Sequence, residues 1–590
     1  MSVTQFAPRL RCGVGLHLWC GVGLRLRRGA WRSHLVALLS VLELSACMVG
    51  PDYHRASAPV PVAYKEMKGW VVAQPQDAAD RGPWWSIYHD PELDMLERQV
   101  EVSNQTVKQF EAQYRNAVAL VQEARASLFP TVGVTAGVTR SSGGGGGSGG
   151  GSLSSSGLGS TSSAGGSGGS GAPRTQYSVE GTIDWTPDVW GRVRRQVESQ
   201  VALAQVDAAD LANAKLSAQM TLATDYFDLR AEDSLEDLLR QTVAAYQHAF
   251  DIVNNQYRAG TTTSADAVTA QAQLEGARAQ LVGVGVQRAI YEHAIAVLTG
   301  HPPADLTIPH APLTAAVPVL PPGLPSTLLQ RRPDIAAAER AMQEENALIG
   351  VQVAAFYPDI SLSTLGGFIG NPLSQLFTTA SRVWSLGASA SETLFEGGAR
   401  TAAVAAARAT YDQSVANYRQ VVLTALQQVE DEVSSLRILE QQERAEGSAV
   451  AAARKAVDVL FNQYRAGTVA YTSVVTEQTT LLSDQQSALA VQQSRLVASV
   501  TLVTALGGGW NTGDLPDKDK LQEWNFITSP AGAGEVRQTQ HAASHSNGED
   551  IVCHRSRWPR PRPSSPPAFR PRGTRNSSRW RSSCWTPAAC

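Results

Sequence analysis

Cys47 is the side chain whose surroundings prescribe a reaction. It closes Leu44-Ser45-Ala46-Cys47, a small-residue cleavage site that follows basic Arg25, Arg27, Arg28 and Arg32 and a short apolar run at 35–42. The run is far below the roughly 18 residues of a membrane-spanning helix, and the whole reads as a bacterial lipoprotein signal. Glu43 interrupts the apolar stretch and is the one residue against that reading. The cysteine distribution favours it. The other five cysteines are Cys12, Cys20, Cys553, Cys584 and Cys590, so no thiol lies between 48 and 552. A body without cysteine has no disulfide framework, no thiolate metal site and no cysteine nucleophile. Cleavage makes Cys47 the mature N-terminus and carrier of the lipid. Each buried methylene adds about 0.8 kcal/mol, so two or three acyl chains anchor durably where one is marginal.

Other chemistry is hard to find. There is no G-x-x-x-x-G-K-[ST] phosphate loop and no H-E-x-x-H, and Gly13-Val14-Gly15 stands outside any βαβ context. His54, His89, His248, His293, His301 and His310 do not form a metal-ligand pattern. No catalytic residue, metal or cofactor is expected. Both ends differ from the body. Residues 1–46 form the signal segment, and 1–30 repeat Cys-Gly-Val-Gly-Leu at Cys12 and Cys20, as an early start codon would produce. Residues 516–590 form a C-terminal tail, and beyond Asp550 it has nine Arg and no acid. That run reads as a nucleic-acid-binding tail or as a GC-rich frame translated out of register, without periodicity that would fold. Between 47 and 550 there are 35 basic and 52 acidic residues, a net charge of −17 that argues against nucleic acid or anionic lipid as the body's partner.

The body is a duplication. Asn255-Gln256-Tyr257-Arg258-Ala259-Gly260-Thr261 returns at Asn462–Thr468, 207 residues on. Phe129-Pro130-x-Val132-x-Val134 returns as Tyr357-Pro358-x-Ile360-x-Leu362, 228 residues on, and Arg194 and Arg400, each three residues after a glycine, lie 206 apart. The 22-residue discrepancy falls where the first copy carries a Gly/Ser tract, 141–172, which is therefore a loop insertion. An interdomain linker would not sit between matched strands.

The elements around these motifs follow from periodicity. Val107, Phe110, Tyr114, Ala117, Val121, Ala124 and Leu128 alternate steps of three and four, a coiled-coil seam that weakens backwards at Ser103 before Val100. The pattern recurs at Leu239, Val243, Tyr246, Phe250, Val253 and Tyr257, and at Val450, Ala453, Val457, Leu460 and Tyr464. No proline interrupts 194–256, so one helix there would run roughly 95 Å. Between helices lie four strand-like segments at 131–139, 177–185, 359–365 and 383–391, in two hairpin pairs. They are surface hairpins or bilayer-spanning strands, which need about 9–11 residues each. No segment of the body approaches a spanning helix, so any crossing is a barrel, and four strands cannot close one around a channel. Several chains must contribute.

The sequence resembles the TolC-like outer-membrane efflux family, specifically the NodT-type lipoproteins of tripartite pumps. The resemblance rests on Cys47-x-x-Gly50-Pro51-Asp52-Tyr53, Trp84-Trp85 with Asp90-Pro91-x-Leu93, Arg331-Arg332-Pro333-Asp334-Ile335, Tyr357-Pro358-x-Ile360, both Tyr-Arg-Ala-Gly repeats and Ala505-Leu506-Gly507-Gly508-Gly509-Trp510. It spans about 44–515. It implies an α+β fold in a homotrimer: a shared 12-strand transmembrane β-barrel on a long coiled-coil α-helical barrel, with repeats at 47–300 and 301–515. It implies passive export of drugs or other small molecules across the outer membrane, with a periplasmic adaptor and an inner-membrane RND-type transporter as partners. Pro130 and Pro358 then lead into the strands. The family's gate lies near the helix turn after each Tyr-x-x-Gly, which carries to Tyr257, Arg258, Gly260, Tyr464, Arg465 and Gly467, with Asp266 downstream. The second half departs from the pattern, with Ser473, Thr476 and the adjacent Glu477 where relatives place acids. Helix packing and capping explain the Tyr-Arg pairs as well as gating does. A lipid-anchored coiled-coil scaffold or adhesin without a pore is the alternative function; a periplasmic adaptor would lack the paired hairpins and the duplication.

Lipidation at Cys47 is directly testable. Metabolic labelling with a fatty acid should mark the wild type and leave Cys47→Ser unlabelled, because only the thiol forms the thioether; equal label in both refutes the assignment.

Overall fold

The computed structural model describes residues 48–61, 64–66, 83–141, 174–318 and 328–522. Cys47, the Gly/Ser insertion beyond Ser141, and the tail from 523 lie outside them. Seven long helices and four strands follow in the order α1 (Pro91–Ser103), α2 (Gln105–Ala126), β1 (Thr131–Ser141), β2 (Arg174–Trp185), α3 (Arg192–Arg258), α4 (Ser264–Leu298), α5 (Pro333–Ala354), β3 (Asp359–Gly370), β4 (Arg382–Ser391), α6 (Ala399–Arg465) and α7 (Tyr471–Ala505).

The duplication appears as equal lengths. Helices α2 and α5 have 22 residues each, α3 and α6 have 67, and α4 and α7 have 35. The first pair is offset by 228 and the other two by 207 at both ends. Arg400 is therefore not the mate of Arg194. Both long helices start after a left-handed glycine, Gly191 (φ 81°) and Gly398 (φ 89°), and these are 207 apart, which aligns Arg194 with Thr401. Of the two adjacent glycines the second makes the cap, so the offset of 206 was one short and the insertion adds 21 residues rather than 22.

A 67-residue helix extends roughly 100 Å at ~1.5 Å per residue. Helix α3 lies against α2, α4, α5 and α7, and α6 against α5 and α7. The seam expected to run back from Leu128 through Ser103 to Val100 is broken at both ends. Asn104 starts a new helix, its Oδ1 accepting from the Val107 amide at 3.0 Å while its Nδ2 donates to the Leu298 carbonyl at 2.8 Å. Leu128 lies beyond the end of α2. The polar weak point in the heptads is thus a helix cap, which satisfies otherwise orphaned backbone donors.

The strands form one antiparallel sheet in the order β1-β2-β3-β4. They have 11, 12, 12 and 10 residues, longer than their sequence patterns suggested and close to the spanning length of a tilted strand. The register sorts the side chains. Val132, Ala136 and Val138 pair with Ile183, Val179 and Tyr177; Val179 pairs with Phe368, and Leu362 with Ala388, all on one face. The other face pairs Thr135 with Glu180 and Ser361 with Ser389, whose hydroxyls are 2.7 Å apart. An apolar face alternating with a polar one is the pattern of strands between lipid and a wet lumen.

One expectation about membrane crossing is corrected. By length and composition α4 is apolar enough to span a bilayer. Its Ala270, Leu274 and Ala277 are instead buried against neighbouring helices, where Leu274 and Ala277 pack with Tyr246 of α3. It nevertheless leaves Val282, Val286 and Ile290 at 79, 65 and 50% exposure.

The main core joins the segment Trp84–Tyr88 to α1, α3 and α7 through Trp84, Trp85, Leu93, Leu96, Tyr226, Phe227 and Leu496. Asp90 caps α1 at its Glu92 and Leu93 amides (3.0 and 3.2 Å) and accepts the Tyr226 hydroxyl at 2.6 Å. On the same helix Glu97 is fully buried, with neither carboxyl oxygen hydrogen-bonded among the described residues. Burial pushes its pKa up to about 9. A carboxyl held protonated by folding makes stability fall as pH rises from the ordinary carboxylate range toward 9, by roughly 1 kcal/mol per unit. Glu97→Gln should therefore melt together with the wild type near pH 4.5 and several degrees above it at pH 8. Parallel melting profiles would show that Glu97 is ionised in the fold.

Candidate functional site: anchor point and helical tip

Two regions collect the motifs, one at each end of the long helices. At the sheet end the first described residues are pinned where β2 turns into α3. The Val49 amide donates to the Trp190 carbonyl at 3.2 Å, and a Cβ on Gly191 would lie 2.6 Å from Met48 Cγ. Gly50, at φ +104°, crosses α5 so closely that a Cβ there would sit 2.5 Å from Gly350 Cα. Beneath this crossing Arg195, 1% exposed, donates to the carbonyls of Val49 (3.3 Å) and Gly50 (3.4 Å) and pairs with Asp52 (2.9 Å) and Glu198 (2.8 Å). Asn346 donates to the Pro51 carbonyl at 3.0 Å. Gly50-Pro51-Asp52 thus reads as backbone proximity plus one buried guanidinium. Beyond it the strap continues over α5 and α6. Arg55 pairs with Glu339 at 2.9 Å, the Lys65 and Glu66 amides donate to Glu430 at 2.6 and 3.0 Å, and Glu66 pairs with Arg437 at 2.6 Å.

Pro130 and Pro358 stand immediately before β1 and β3, as expected. Trp190 stacks on Tyr357 at 4.8 Å and donates to the Pro358 carbonyl at 2.9 Å. Trp185 donates to the Leu128 carbonyl at 3.0 Å. Two further motifs meet each other. Arg332 binds Asp334 at 2.6 Å and donates to the Ala505 carbonyl at 3.1 Å, while a Cβ on Gly507 would lie 2.0 Å from the Arg331 carbonyl oxygen.

At the far end the two Tyr-x-x-Gly turns share one backbone geometry. Gly260 (φ 75°) and Gly467 (φ 74°) donate to the carbonyls of Tyr257 (2.9 Å) and Tyr464 (2.8 Å), and the following threonine amides return to Gln256 (2.9 Å) and Gln463 (3.0 Å). The glycines are helix C-caps that need a left-handed residue. The tyrosines are not equivalent. Tyr464 is buried, its hydroxyl donating to Gln256 Oε1 at 2.7 Å and its ring 5.2 Å from that of Tyr471. Tyr257 is 46% exposed. Arg258 and Arg465 are both exposed. Asp266 completes a capping box with Thr263 and accepts the Thr262 hydroxyl at 2.6 Å, which, with the Thr263 bonds, holds its carboxyl below the usual range. Ser473 occupies its place in the second half, where Ala470 leaves α7 without a side-chain cap. Sequence reasoning missed Gln256 and Tyr471, although Gln256 lies inside the repeated heptapeptide and Tyr471 opens the helix after it.

It also missed one convergence. Asp233, Glu236 and His310 bring ligand atoms within 4.8 Å of one another. Asp233 is already engaged by Arg230 (3.1 Å), Arg288 (2.7 Å) and the Ala311 amide (3.1 Å), so protein donors hold the positions that a cation would take.

A sheet with one apolar and one polar face, carried on helices of roughly 100 Å, defines a wall segment of an outer-membrane tunnel. The chain belongs to the outer membrane efflux protein family, whose profile matches residues 96–301 and 324–508. It is 28% identical over 492 residues to the antibiotic efflux pump outer membrane protein ArpC of Pseudomonas putida, across 81% of this chain and 96% of that protein. It is 29% identical over 482 residues to the outer membrane protein OprJ of Pseudomonas aeruginosa, with 81% and 96% covered. The solved outer-membrane channel OprN superposes with a TM-score of 0.71 at 27% identity, over 79% of this chain and all of that one. This protein is accordingly a subunit of an outer-membrane efflux channel.

The anchor geometry makes a prediction about Gly50. Gly50→Ala adds both a strained φ and a collision with the α5 backbone, and should cost on the order of 2–3 kcal/mol, seen as a drop in Tm. Gly397→Ala, at φ +64° with nothing within 4 Å of its Cβ, should cost less, about 1 kcal/mol. Equal losses would mean that the crossing over Gly350 is loose.

Proposed function

We propose that three copies of this chain form a passive conduit from periplasm to exterior, exporting drugs or other small molecules. The observation that carries this reading is the four-stranded sheet whose outer strands have no partner strand among the described residues. A spanning sheet must close, and three such sheets make a 12-strand barrel continuous with a helical tunnel below it. A pore-free scaffold gives no reason for a sheet with a lipid-type face. An inner-membrane RND-type transporter, coupled through a periplasmic adaptor, supplies the energy. The lipid on Cys47 secures the channel at the membrane, since Met48 lies at the junction of sheet and helices. The Gly/Ser insertion leaves β1 and β2 at the end of the sheet remote from the helices, the exterior side, and is dispensable for folding. The two repeats run 47–300 and 301–515.

The periplasmic tip is the gate. Val253, Ala267, Ala270, Tyr464, Tyr471 and Val474 bind the end of the α3–α4 hairpin to that of α6–α7. The Tyr464–Gln256 bond fastens one hairpin to the other, and Tyr257, Arg258 and Arg465 remain available to neighbouring subunits. Gly260, Gly467 and Asp266 shape the turns that present them.

Tyr464→Phe combined with Arg465→Ser removes hydrogen-bond donors while leaving the seam filled. At ~1 kcal/mol per bond, tripled by symmetry, the closed state should lose several kcal/mol. Single-channel conductance in planar bilayers should rise, and cells should become sensitive to large antibiotics. Unchanged conductance in a correctly trimeric variant would mean that these residues pack rather than gate.

A further inference from the structure

The internal duplication prescribes the contact between subunits. Within one chain the first repeat meets the second through β2 on β3 and through α3 on α7. If the subunits are related as the repeats are, the second repeat of one chain meets the first repeat of the next in the same way. The strands obey the helix offsets, because Thr131↔Asp184 in the first hairpin corresponds to Asp359↔Ser391 in the second, shifts of 228 and 207. Adding 207 to the β2 member of a β2–β3 pair and subtracting 228 from the β3 member converts Ile183↔Thr364 into Ala390↔Ala136, and Gly181↔Gly366 into Ala388↔Val138.

We propose that β4 of each subunit pairs antiparallel with β1 of its neighbour in this register, with Ala388 opposite Val138 and Ala390 opposite Ala136. The proposal rests on the trimer reading and adds to it the residues that touch.

Two observations bear on the register. The first is side-chain parity, which the offsets themselves require and which the exposure of that face supports. The β1–β2–β3–β4 ladder places Val134, Ala136, Val138, Trp384, Leu386, Ala388 and Ala390 on its apolar face, and the proposed pairs join members of that face alone. A slip of one residue would set apolar side chains against the polar face at every position. Val134, Val138, Trp384 and Leu386 are 77, 66, 76 and 78% exposed in the single chain, as lipid- and neighbour-facing side chains would be.

The second lies in the helices. On α7, Leu489 packs against the main core and Gln493 donates to Asp228 of α3 at 2.8 Å. Their counterparts 207 residues earlier are Val282 and Val286 of α4, which are 79 and 65% exposed. The repeat relation sets these valines against α6 of the neighbouring subunit, beside Ser435, the counterpart of Asp228. The first repeat therefore carries valine where the second has a hydrogen-bonded glutamine. The apolar surplus of α4 is the surface that a second copy of this chain covers.

The thiol-free body makes the test clean. In the full-length chain with Cys553, Cys584 and Cys590 replaced by Ser, Ala388→Cys is combined with Val138→Cys, and separately Ala390→Cys with Ala136→Cys. Mild oxidation of outer membranes should link each pair into a covalent trimer on a non-reducing gel. Ala388→Cys with Val134→Cys displaces the partner by four residues, roughly 13 Å along the strand. That is beyond disulfide reach, so the displaced pair should give about tenfold less trimer band than the matched pairs. A displaced pair that links as well as the matched ones overturns the register. Amine cross-linking of the same membranes separates the two readings: trimers without matched disulfides refute the register alone, and absence of trimers refutes the channel assembly as well. Val286→Glu supplies a readout outside the barrel. It should lower the dissociation temperature of the trimer, and an unchanged value would show that α4 faces solvent.

Discussion

The edges of the sheet are the constraint on which the rest of the molecule depends. Each outer strand, β1 and β4, presents backbone donors and acceptors that no other strand among the described residues satisfies. In water such edges invite aggregation, and in hydrocarbon each unsatisfied group costs several kcal/mol. A four-stranded sheet of this kind has no stable monomeric existence in a bilayer. Duplication offers the solution: two hairpins lie side by side as β1-β2-β3-β4, and in the proposed trimer the same relation repeated between subunits leaves no edge.

The helices serve that closure by fixing where the hairpins stand. Each strand grows from a helix through a short stiff junction, with proline before β1 and β3 and left-handed glycine before α3 and α6. The junctions differ in how they are filled. In the first repeat Trp190 stacks on Tyr357, and Met48 covers Gly191. In the second, Leu394 and Phe395 are 94 and 88% exposed, and a Cβ on Gly397 or Gly398 would meet nothing within 4 Å among the described residues. In the proposed trimer the repeat relation sets Phe129-Pro130 of a neighbour, the counterpart of Tyr357-Pro358, against that junction. The strap that begins at Met48 sits in the filled junction, so a lipid on Cys47, as proposed, would attach next to the part of the sheet braced by Arg195 and α5.

Much of this was legible before any coordinates, because the chain states its architecture twice. The heptapeptide at Asn255 and Asn462 and the Pro130/Pro358 pair gave the offsets, and the seams gave the long helices. What escaped was local. Arg194 and Arg400 looked equivalent because both follow a glycine, but which of two adjacent glycines adopts the left-handed cap depends on the turn and not on spacing. The break at Asn104 was visible only as a weak heptad at Ser103, since a cap and a solvated coiled-coil position have the same polarity in sequence. The strands ran past their patterned cores because Gly366-Gly367 interrupts the alternation before Phe368 and Ile369, and the added ends of the other strands are polar residues such as Arg140, Gln176 and Arg382. The engagement of Tyr464 by Gln256 joins two helices far apart in sequence, and no periodicity reports that.

The tip is where the side chains of the two repeats diverge, although the backbone repeat continues through it. The two halves match helix for helix, so in the proposed trimer six hairpins of equal length would close a tunnel with nearly sixfold symmetry. The side chains at the turn would lower that symmetry to three. Asp266 caps α4, whereas Ser473 leaves α7 uncapped by any side chain, and Tyr464 is buried against Tyr471 where Tyr257 lies half-exposed. An uncapped helix start frays more readily than one closed by a capping box, by about 1 kcal/mol. The α6–α7 hairpin is therefore the less firmly terminated of the two, and the bond from Tyr464 to Gln256 holds it against the better-built neighbour. In the proposed gate, a part fastened to a fixed one by a few polar contacts is the part that can move, and the asymmetry of capping points to the second repeat.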